Sequence, residues 1–360
     1  MPENKDSGGR RFVSAQDVAE HAGVSRSAVS RAFTPGASIA PATLARVQEA
    51  ASALGYQVNH LARGLHAQRS QLVGLVASDP DAPFRAQMIA ALSRALIERG
   101  NVPALISVGP TAGKVANATR HLLRYRAEAT VFLSGSPPAA LVDLTRRNGQ
   151  TLILINRAET GLDSVRCDDS GGARQAFEAL CAASAVRLAV VNMADPSPSL
   201  LAREQAFAAC AAARAIAPAV FRAGHSDYLG GQEAARRLLA EGPRPDAVFC
   251  VNDLMAFGVL DHLRSAGLSV PDDVSVVGFD DVPMAGWASY RLTTLRQDPA
   301  RIASEVIAIL DRRNAEPDLP PLSVTFPVQL IVRGTVDGSK PAASVSEPGA
   351  GGRPPPEPAA

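Results

Sequence analysis

Apolar positions along the chain change their rhythm near residue 71. From Leu72 onward they gather into short runs: Leu72–Val76, Val102–Val108, Ala129–Leu133, Leu152–Ile155, Leu188–Val191, Ala247–Val251 and Val274–Val277. These runs are often β-branched, and most are followed by Gly, Asp, Asn or Ser, which predicts strands. The stretches between them, such as Ala86–Arg99, Leu201–Ala213 and Gln232–Glu241, carry Ala, Leu and Arg at helical spacing. The first two runs start 30 residues apart, the length of one βαβ unit. Strands without polar alternation have both faces covered, which predicts parallel sheets. Periodicity leaves open one closed barrel or two doubly wound domains.

Before residue 71 the pattern is that of three short helices. Ser14 and Asp17 have the spacing of a capping box, so a helix is expected from Asp17 to Ala22, with Gly23 allowing a sharp turn. Ser25 suits the N-cap of a second helix running to about Phe33. Thr34-Pro35-Gly36 predicts a loop. Pro41 suits the first position of a third helix, in which Leu44, Val47, Ala51 and Leu54 recur at helical spacing before Gly55 stops it. Residues 1–12 have the character of a flexible arm. Residues 338–360 contain 15 Pro, Gly or Ala in 23 positions and are expected to form a disordered tail.

Charge adds an asymmetry to this division. Residues 1–70 hold 8 basic and 5 acidic side chains, a net of +3, whereas the remainder of the 360 residues carries −2. A basic head on a mildly acidic body suggests that the head alone meets a polyanion. The polar N-terminus lacks the apolar stretch of a signal peptide, and no apolar run is long enough for a membrane span, so a cytoplasmic chain is expected. Cys167, Cys181, Cys210 and Cys250 are well separated in sequence, without a CxxC, and are expected to be buried free thiols.

Ala19, Gly23 and Val29 occupy the small, turn-forming and apolar positions that a helix-turn-helix requires. Ala19 lets the helices approach, Gly23 makes the turn and Val29 locks the second helix on the first. That helix then presents Arg26, Ser27, Ser30 and Arg31, with Ser25 at its start. Arginine forks onto guanine O6 and N7, and hydroxyls take phosphates or base edges. The run Ser14-Ala15-Gln16-Asp17-Val18-Ala19-Glu20-His21-Ala22-Gly23-Val24-Ser25, followed by Ala28-Val29-Ser30-Arg31, resembles the headpiece of the LacI/GalR family of bacterial transcription regulators. So do Ala53-Leu54-Gly55-Tyr56-Gln57-Val58-Asn59 and Ala62-Arg63-Gly64-Leu65. Val251-Asn252-Asp253-Leu254-Met255-Ala256-Phe257-Gly258, Val276-Val277-Gly278-Phe279-Asp280-Asp281 and Leu292-Thr293-Thr294-Leu295-Arg296-Gln297 look like that family's effector domain.

The resemblance, over about residues 13–335, implies a helix-turn-helix headpiece (13–58), a hinge (59–70) and a periplasmic-binding-protein-like core (71–337). The core would be two doubly wound α/β subdomains, which decides against the barrel. Subdomain one would take about 71–167 and 297–326, and subdomain two about 168–296 and 327–337. In the hinge, the resemblance places Asn59, Ala62 and Leu65 against DNA, with Leu65 as the apolar wedge that kinks the duplex in the minor groove. In such open sheets ligands bind beyond the C-terminal strand ends, where Asp79, Asn156, Asn192, Asn252 and Asp280 fall. By resemblance Arg203, Asn252 and Asp280 contact the effector, Tyr228 stacks on it, and Asp79 and Phe84 come from the first subdomain. A sugar-like or purine-like molecule is implied. The chain departs from the family around this cleft: Ala82-Pro83-Phe84, Asp168-Asp169, Ala206 and Asn192-Met193-Ala194 replace the usual residues.

Enzyme readings find no support. There is no GxGxxG after the first strand, no P-loop, no GxSxG elbow and no HExxH. Asp168-Asp169 and Asp280-Asp281 suit turns better than a metal, because adjacent carboxylates point apart. No cofactor or metal is expected. The resulting expectation is a homodimeric repressor that binds double-stranded operator DNA under the control of a small-molecule effector, with no membrane partner. The other reading is a ligand-binding receptor or transport component sharing the core's fold. The basic headpiece and the missing signal peptide count against it.

Overall fold

The computed structural model describes residues 12–34, 36–58, 70–109, 112–135 and 137–336. The expected arm up to residue 11, the hinge positions Asn59, Ala62 and Leu65, and the tail 338–360 lie outside the described residues. The chain divides into two compact units, one up to Gln71 and one from Leu72.

The first unit is three helices, α1 (Ala15–Ala22), α2 (Arg26–Ala32) and α3 (Pro41–Leu54). At the start of α1 the Ser14 hydroxyl accepts the Asp17 N–H at 3.2 Å, and the Asp17 carboxylate accepts the Ser14 N–H at 2.7 Å. The capping box thus forms with Asp in place of the usual Glu or Gln, and the helix starts two residues earlier than expected. Gly23 ends α1 at φ 66°, a left-handed conformation that glycine adopts without steric cost. Ser25 caps α2 by accepting the Ala28 N–H. Val18, Ala19, Val29, Val47, Ala50 and Ala51 form the core of the unit, with Phe33 and Tyr56 in ring contact at 5.6 Å beside it.

The second unit holds two six-stranded sheets. The chain runs β1 (Leu72–Ala77), α4 (Pro83–Glu98), β2 (Val102–Ser107), α5 (Ala112–Arg124), β3 (Ala129–Phe132), α6 (Ala139–Arg147), β4 (Thr151–Ile155) and β5 (Asp163–Cys167). It continues through α7 (Asp169–Ala182), β6 (Leu188–Met193), α8 (Pro198–Ala212), β7 (Ala219–Ala223), α9 (Tyr228–Ala240), β8 (Ala247–Cys250), α10 (Asp253–Ser265) and β9 (Ser275–Asp280). It closes with β10 (Thr293–Arg296), α11 (Pro299–Ala315), β11 (Ser323–Phe326) and β12 (Gln329–Ile331).

One sheet has the order β11-β5-β4-β3-β1-β2 and the other β12-β10-β9-β8-β6-β7. All neighbours are parallel except β12, which runs antiparallel to β10. Two open sheets with free edges are incompatible with a single barrel. The chain passes between the sheets three times, after β5, after β10 and after β11. Strand order reverses at β1/β3 in one sheet and at β6/β8 in the other. Such switch points leave a crevice beyond the C-terminal strand ends.

Each of the seven apolar runs becomes a strand, but the covering is not uniform. β2 is an edge strand with Val102 56% and Leu105 48% exposed, so the expectation that every run is covered on both faces fails there. Strands β5, β7, β10, β11 and β12 are short or partly polar and gave no apolar run. β5 illustrates why. Its Asp163 is buried, bound by Arg313 at 2.6 and 2.9 Å and by the Leu322 N–H at 2.8 Å. A polar residue becomes tolerable inside a sheet when a distant partner satisfies it.

Candidate functional site

In the first unit Ser25, Arg26, Ser27, Ser30 and Arg31 are all exposed, while Ala28 and Val29 between them are buried. The helical period therefore turns the two arginines and three hydroxyls to one face and the core residues to the other. No acidic side chain pairs with Arg26 or Arg31 among the described residues. The Ser25 and Ser27 hydroxyls lie 2.9 Å apart, which orients them near the start of α2. A cationic, hydroxyl-bearing helix face of this kind is suited to the major groove.

In the second unit two of the polar residues beyond the strand ends, Asp280 directly and Asn156 through Gln297, gather around Arg203. It projects from the second turn of α8 and is 3% exposed. Its Nε donates to Asp169 Oδ1 at 2.7 Å, and its Nη1 donates to the Val251 carbonyl at 2.8 Å and to Asp280 Oδ1 at 3.5 Å. The guanidinium lies over the Phe279 ring, 3.5 Å from its centroid. Burial works against its charge, but the carboxylates of Asp169 and Asp280 outweigh burial and hold its pKa above the usual arginine value.

Gln297, just past β10, joins this cluster to the first sheet. Its Nε2 donates to Asp280 Oδ1 at 2.6 Å. Its Oε1 accepts from Asn156 Nδ2 at 3.0 Å and from the Cys167 thiol at 3.2 Å. Asn156 Oδ1 is buried with no hydrogen-bond partner. Burial pushes the Asp280 carboxyl up to about 6, against the pull of Arg203. Burial also pushes the Cys167 thiol far above its ordinary range, so it stays protonated. Asp79, Asn156, Asp280 and Asp281 all have positive φ, and the 128° of Asp280 lies in a region that L residues rarely occupy. Such strain concentrates at ligand sites. Asp281 faces elsewhere, bound at 2.6 Å by both Arg296 and Arg333.

The other expected site residues are placed as follows. Asn252 caps α10, accepting the Met255 N–H at 2.8 Å and donating to the Ser226 carbonyl at 2.9 Å. The Tyr228 hydroxyl donates to Asp261 at 2.8 Å and accepts from Gln232 at 3.1 Å, so it is committed between α9 and α10. Among the described residues its hydroxyl makes no hydrogen bond to Arg203, Asn252 or Asp280. Asp79 is exposed beyond β1 and pairs with Arg85 at 3.5 Å. Phe84 is half-buried in the first turn of α4 against the main core. The structure thus joins Arg203 and Asp280 directly.

Asp169, Cys167 and Gln297 enter the cluster without having been singled out as effector contacts, and Asn156, expected beyond a strand end, joins it through Gln297. Reading Asp168-Asp169 as a turn is right for Asp168, which accepts the Gly171 N–H at 2.8 Å. It is wrong for Asp169, which takes Arg203. The signal available was the departure from the family pattern at that pair. Among the described residues no group of three or more His, Cys, Asp or Glu is placed to hold a metal ion. No helix of the described residues is long and apolar enough to cross a membrane.

Residues 14–59 match the family model of bacterial regulatory proteins of the lacI family, and residues 177–336 match that of the periplasmic binding protein-like domain. The HTH-type transcriptional regulator GalR of Escherichia coli is 30% identical over 336 residues, covering 90% of this chain and 96% of its own length. A crystal structure of the Lac repressor dimer bound to operator and the anti-inducer ONPF superposes with a TM-score of 0.82 at 24% identity, covering 90% of this chain and 99% of that one. A complex of the transcriptional regulator CelR with cellobiose superposes with a TM-score of 0.66 at 27% identity over 90% and 99% of the two chains. A helix-turn-helix with an unpaired cationic face, two doubly wound sheets and near full-length kinship to GalR lead to one conclusion: this chain belongs to the LacI/GalR family and is a DNA-binding transcriptional regulator controlled by a small-molecule effector.

Proposed function

We propose that the chain is a cytoplasmic repressor, not an enzyme, that acts as a homodimer on a pseudo-palindromic operator and takes a sugar-like effector. The observation that carries the effector class is the Arg203 cluster. Within a few ångströms it alternates strong donors and acceptors: Arg203, Asp169, Asp280, Gln297 and the unpartnered Asn156 Oδ1. A polyhydroxylated ligand offers hydroxyls that donate and accept at once, and so can replace these contacts pairwise. The cellobiose bound to CelR is of this class.

In this reading subdomain one spans about 71–167 and 297–326, and subdomain two 168–296 and 327–337. Asp79 and Phe84 face the ligand from the first, and Arg203, Asn252 and Asp280 from the second, with Tyr228 at the rim. Arg26 and Ser27 select the half-site, with Ser25, Ser30 and Arg31 in support, and the hinge positions Asn59, Ala62 and Leu65 contact the DNA, Leu65 as the wedge in the minor groove. Thermal-shift measurements against a panel of mono- and disaccharides test the effector class. A sugar should raise the melting temperature of the native chain and fail to do so in Asp280→Ala. Stabilisation by purines alone would refute it.

A further inference from the structure

The Arg203 cluster carries more negative charge than positive and more unpaired acceptors than unpaired donors. Among the described residues Arg203 is the one cation bonded to the carboxylates of Asp169 and Asp280, so one positive and two negative charges leave these three side chains at −1. Asp280, held at about 6, is ionised at pH 7. Asp253 adds little charge there, because burial pushes its carboxyl up to about 8. Asp281 takes Arg296 and Arg333 for itself, and these three make no bond into the cluster.

The acceptors show the same excess. Asp169 and Asp280 both accept through Oδ1, Asp169 from Arg203 and Asp280 from Gln297 and Arg203. Among the described residues neither Oδ2 takes a hydrogen bond. Asn156 Oδ1 is buried and takes none either. One chain of contacts ties the three side chains together. The Cys167 sulfur lies 3.5 Å from Asp169 Oδ1 and 3.2 Å from Gln297 Oε1, and Gln297 bonds both Asn156 and Asp280. Against these three oxygens, Arg203 Nη2 is the one donor atom of the same side chains without a partner.

An oxygen withdrawn from water without a donor costs free energy, so the site gains most from a ligand group that donates without accepting. An ammonium is such a group, with three N–H donors, no lone pair and a positive charge. A hydroxyl brings one donor and two more lone pairs. A carboxylate or phosphate brings acceptors alone, and its charge repels the net charge of the cluster.

We propose that the effector is an amino sugar, a polyol ring whose protonated amine is received by Asp169, Asp280 and Asn156. This rests on the Arg203 cluster being the effector site, and it adds a sign to the ligand: cationic sugars bind best, neutral ones less well and anionic ones least.

Isothermal titration calorimetry of the full chain at pH 7 tests the order. The probes are glucose, galactose and mannose, the 2-amino derivative of each, the N-acetylated amines and the corresponding uronic acids. An amino sugar should bind about 10–100-fold tighter than its neutral parent, the worth of a hydrogen bond to a charged group. N-acetylation should remove that gain, and the uronic acid should not bind. Asp169→Asn removes one negative charge and keeps an oxygen for Arg203, so it should bring the affinities of amine and parent together. The ligand series on the native chain decides the matter if this variant does not fold. A neutral sugar that binds as tightly as its amine, or an N-acetyl sugar that keeps the gain, would overturn the amine and leave a sugar effector standing. Binding by no amino sugar of the series would also overturn the proposal, and purines binding in place of every sugar would overturn the sugar reading with it.

Discussion

Asp253, which is buried, and Asp280, which is half-buried, are neighbouring carboxyls with different fates. Asp280 has Arg203 and Gln297 as partners. Asp253 has no cation, only the Thr294 hydroxyl at 2.5 Å and the Val282 N–H at 2.9 Å. Burial pushes its carboxyl up to about 8. A carboxyl whose folded pKa exceeds its unfolded value binds its proton more tightly when folded. The contribution of Asp253 to stability is therefore full at low pH and is lost as pH rises, here from about 4 to about 8. Asp253→Asn keeps both contacts, with the amide donating to Thr294 and its oxygen accepting from Val282. Between pH 4 and 8 the fall in melting temperature should be shallower in the variant than in the native chain, Asp280 keeping its own share of the slope; an unchanged slope would place the titration elsewhere. Arg203→Ala leaves the half-buried Asp169 and Asp280 without their cation, which costs up to about 3 kcal/mol. Denaturant unfolding of the core should show this loss, and Asp169→Asn in the same chain should recover part of it.

Elements read from local signals emerged close to expectation. Ser14 with Asp17, Ser25, Pro41 and Gly55 mark helix ends by contacts within a few residues, and α1, α2 and α3 begin and end beside them. Elements that depend on distant partners stayed hidden. Asp163 in β5 needs Arg313, Thr293 in β10 needs Thr335 and Arg333, and Asp169 differs from Asp168 only because Arg203 arrives from α8. The Arg203–Asp280 part of the candidate site was legible through family resemblance and Asn156 through its place beyond a strand end, but the Gln297 side chain that links them was not. The headpiece, with six buried core residues, is the weaker element. Val29→Ala should cost it about 2 kcal/mol through lost burial and a cavity. Circular dichroism should show an early melting step assigned to the headpiece, with the core transition unmoved. Arg26→Ala keeps the fold, because Arg26 is exposed, and should cost about 1–3 kcal/mol at the cognate half-site while relaxing one base position. Equal weakening on all sequences would make Arg26 a phosphate contact.

The two compact units of the molecule differ in chemistry. The headpiece presents the cationic face of α2. The core has a buried Arg–carboxylate network that bridges its two sheets through Gln297 and Asn156. A ligand shifts an equilibrium only by its differential affinity for the two states. The network supplies that difference, because a ligand that breaks the Gln297 or Asp280 contacts changes what holds the sheets together. Coupling of this kind is typically about 1–3 kcal/mol, or about 5–150-fold in affinity. The most direct test is fluorescence anisotropy titration of a palindromic operator with the native chain and with Asp280→Ala, each with and without the sugar that shifts its melting temperature. The account predicts that the sugar changes the native chain's operator affinity by a factor in that range, while Asp280→Ala binds operator with one affinity regardless of sugar. A variant that keeps the full native response would contradict it.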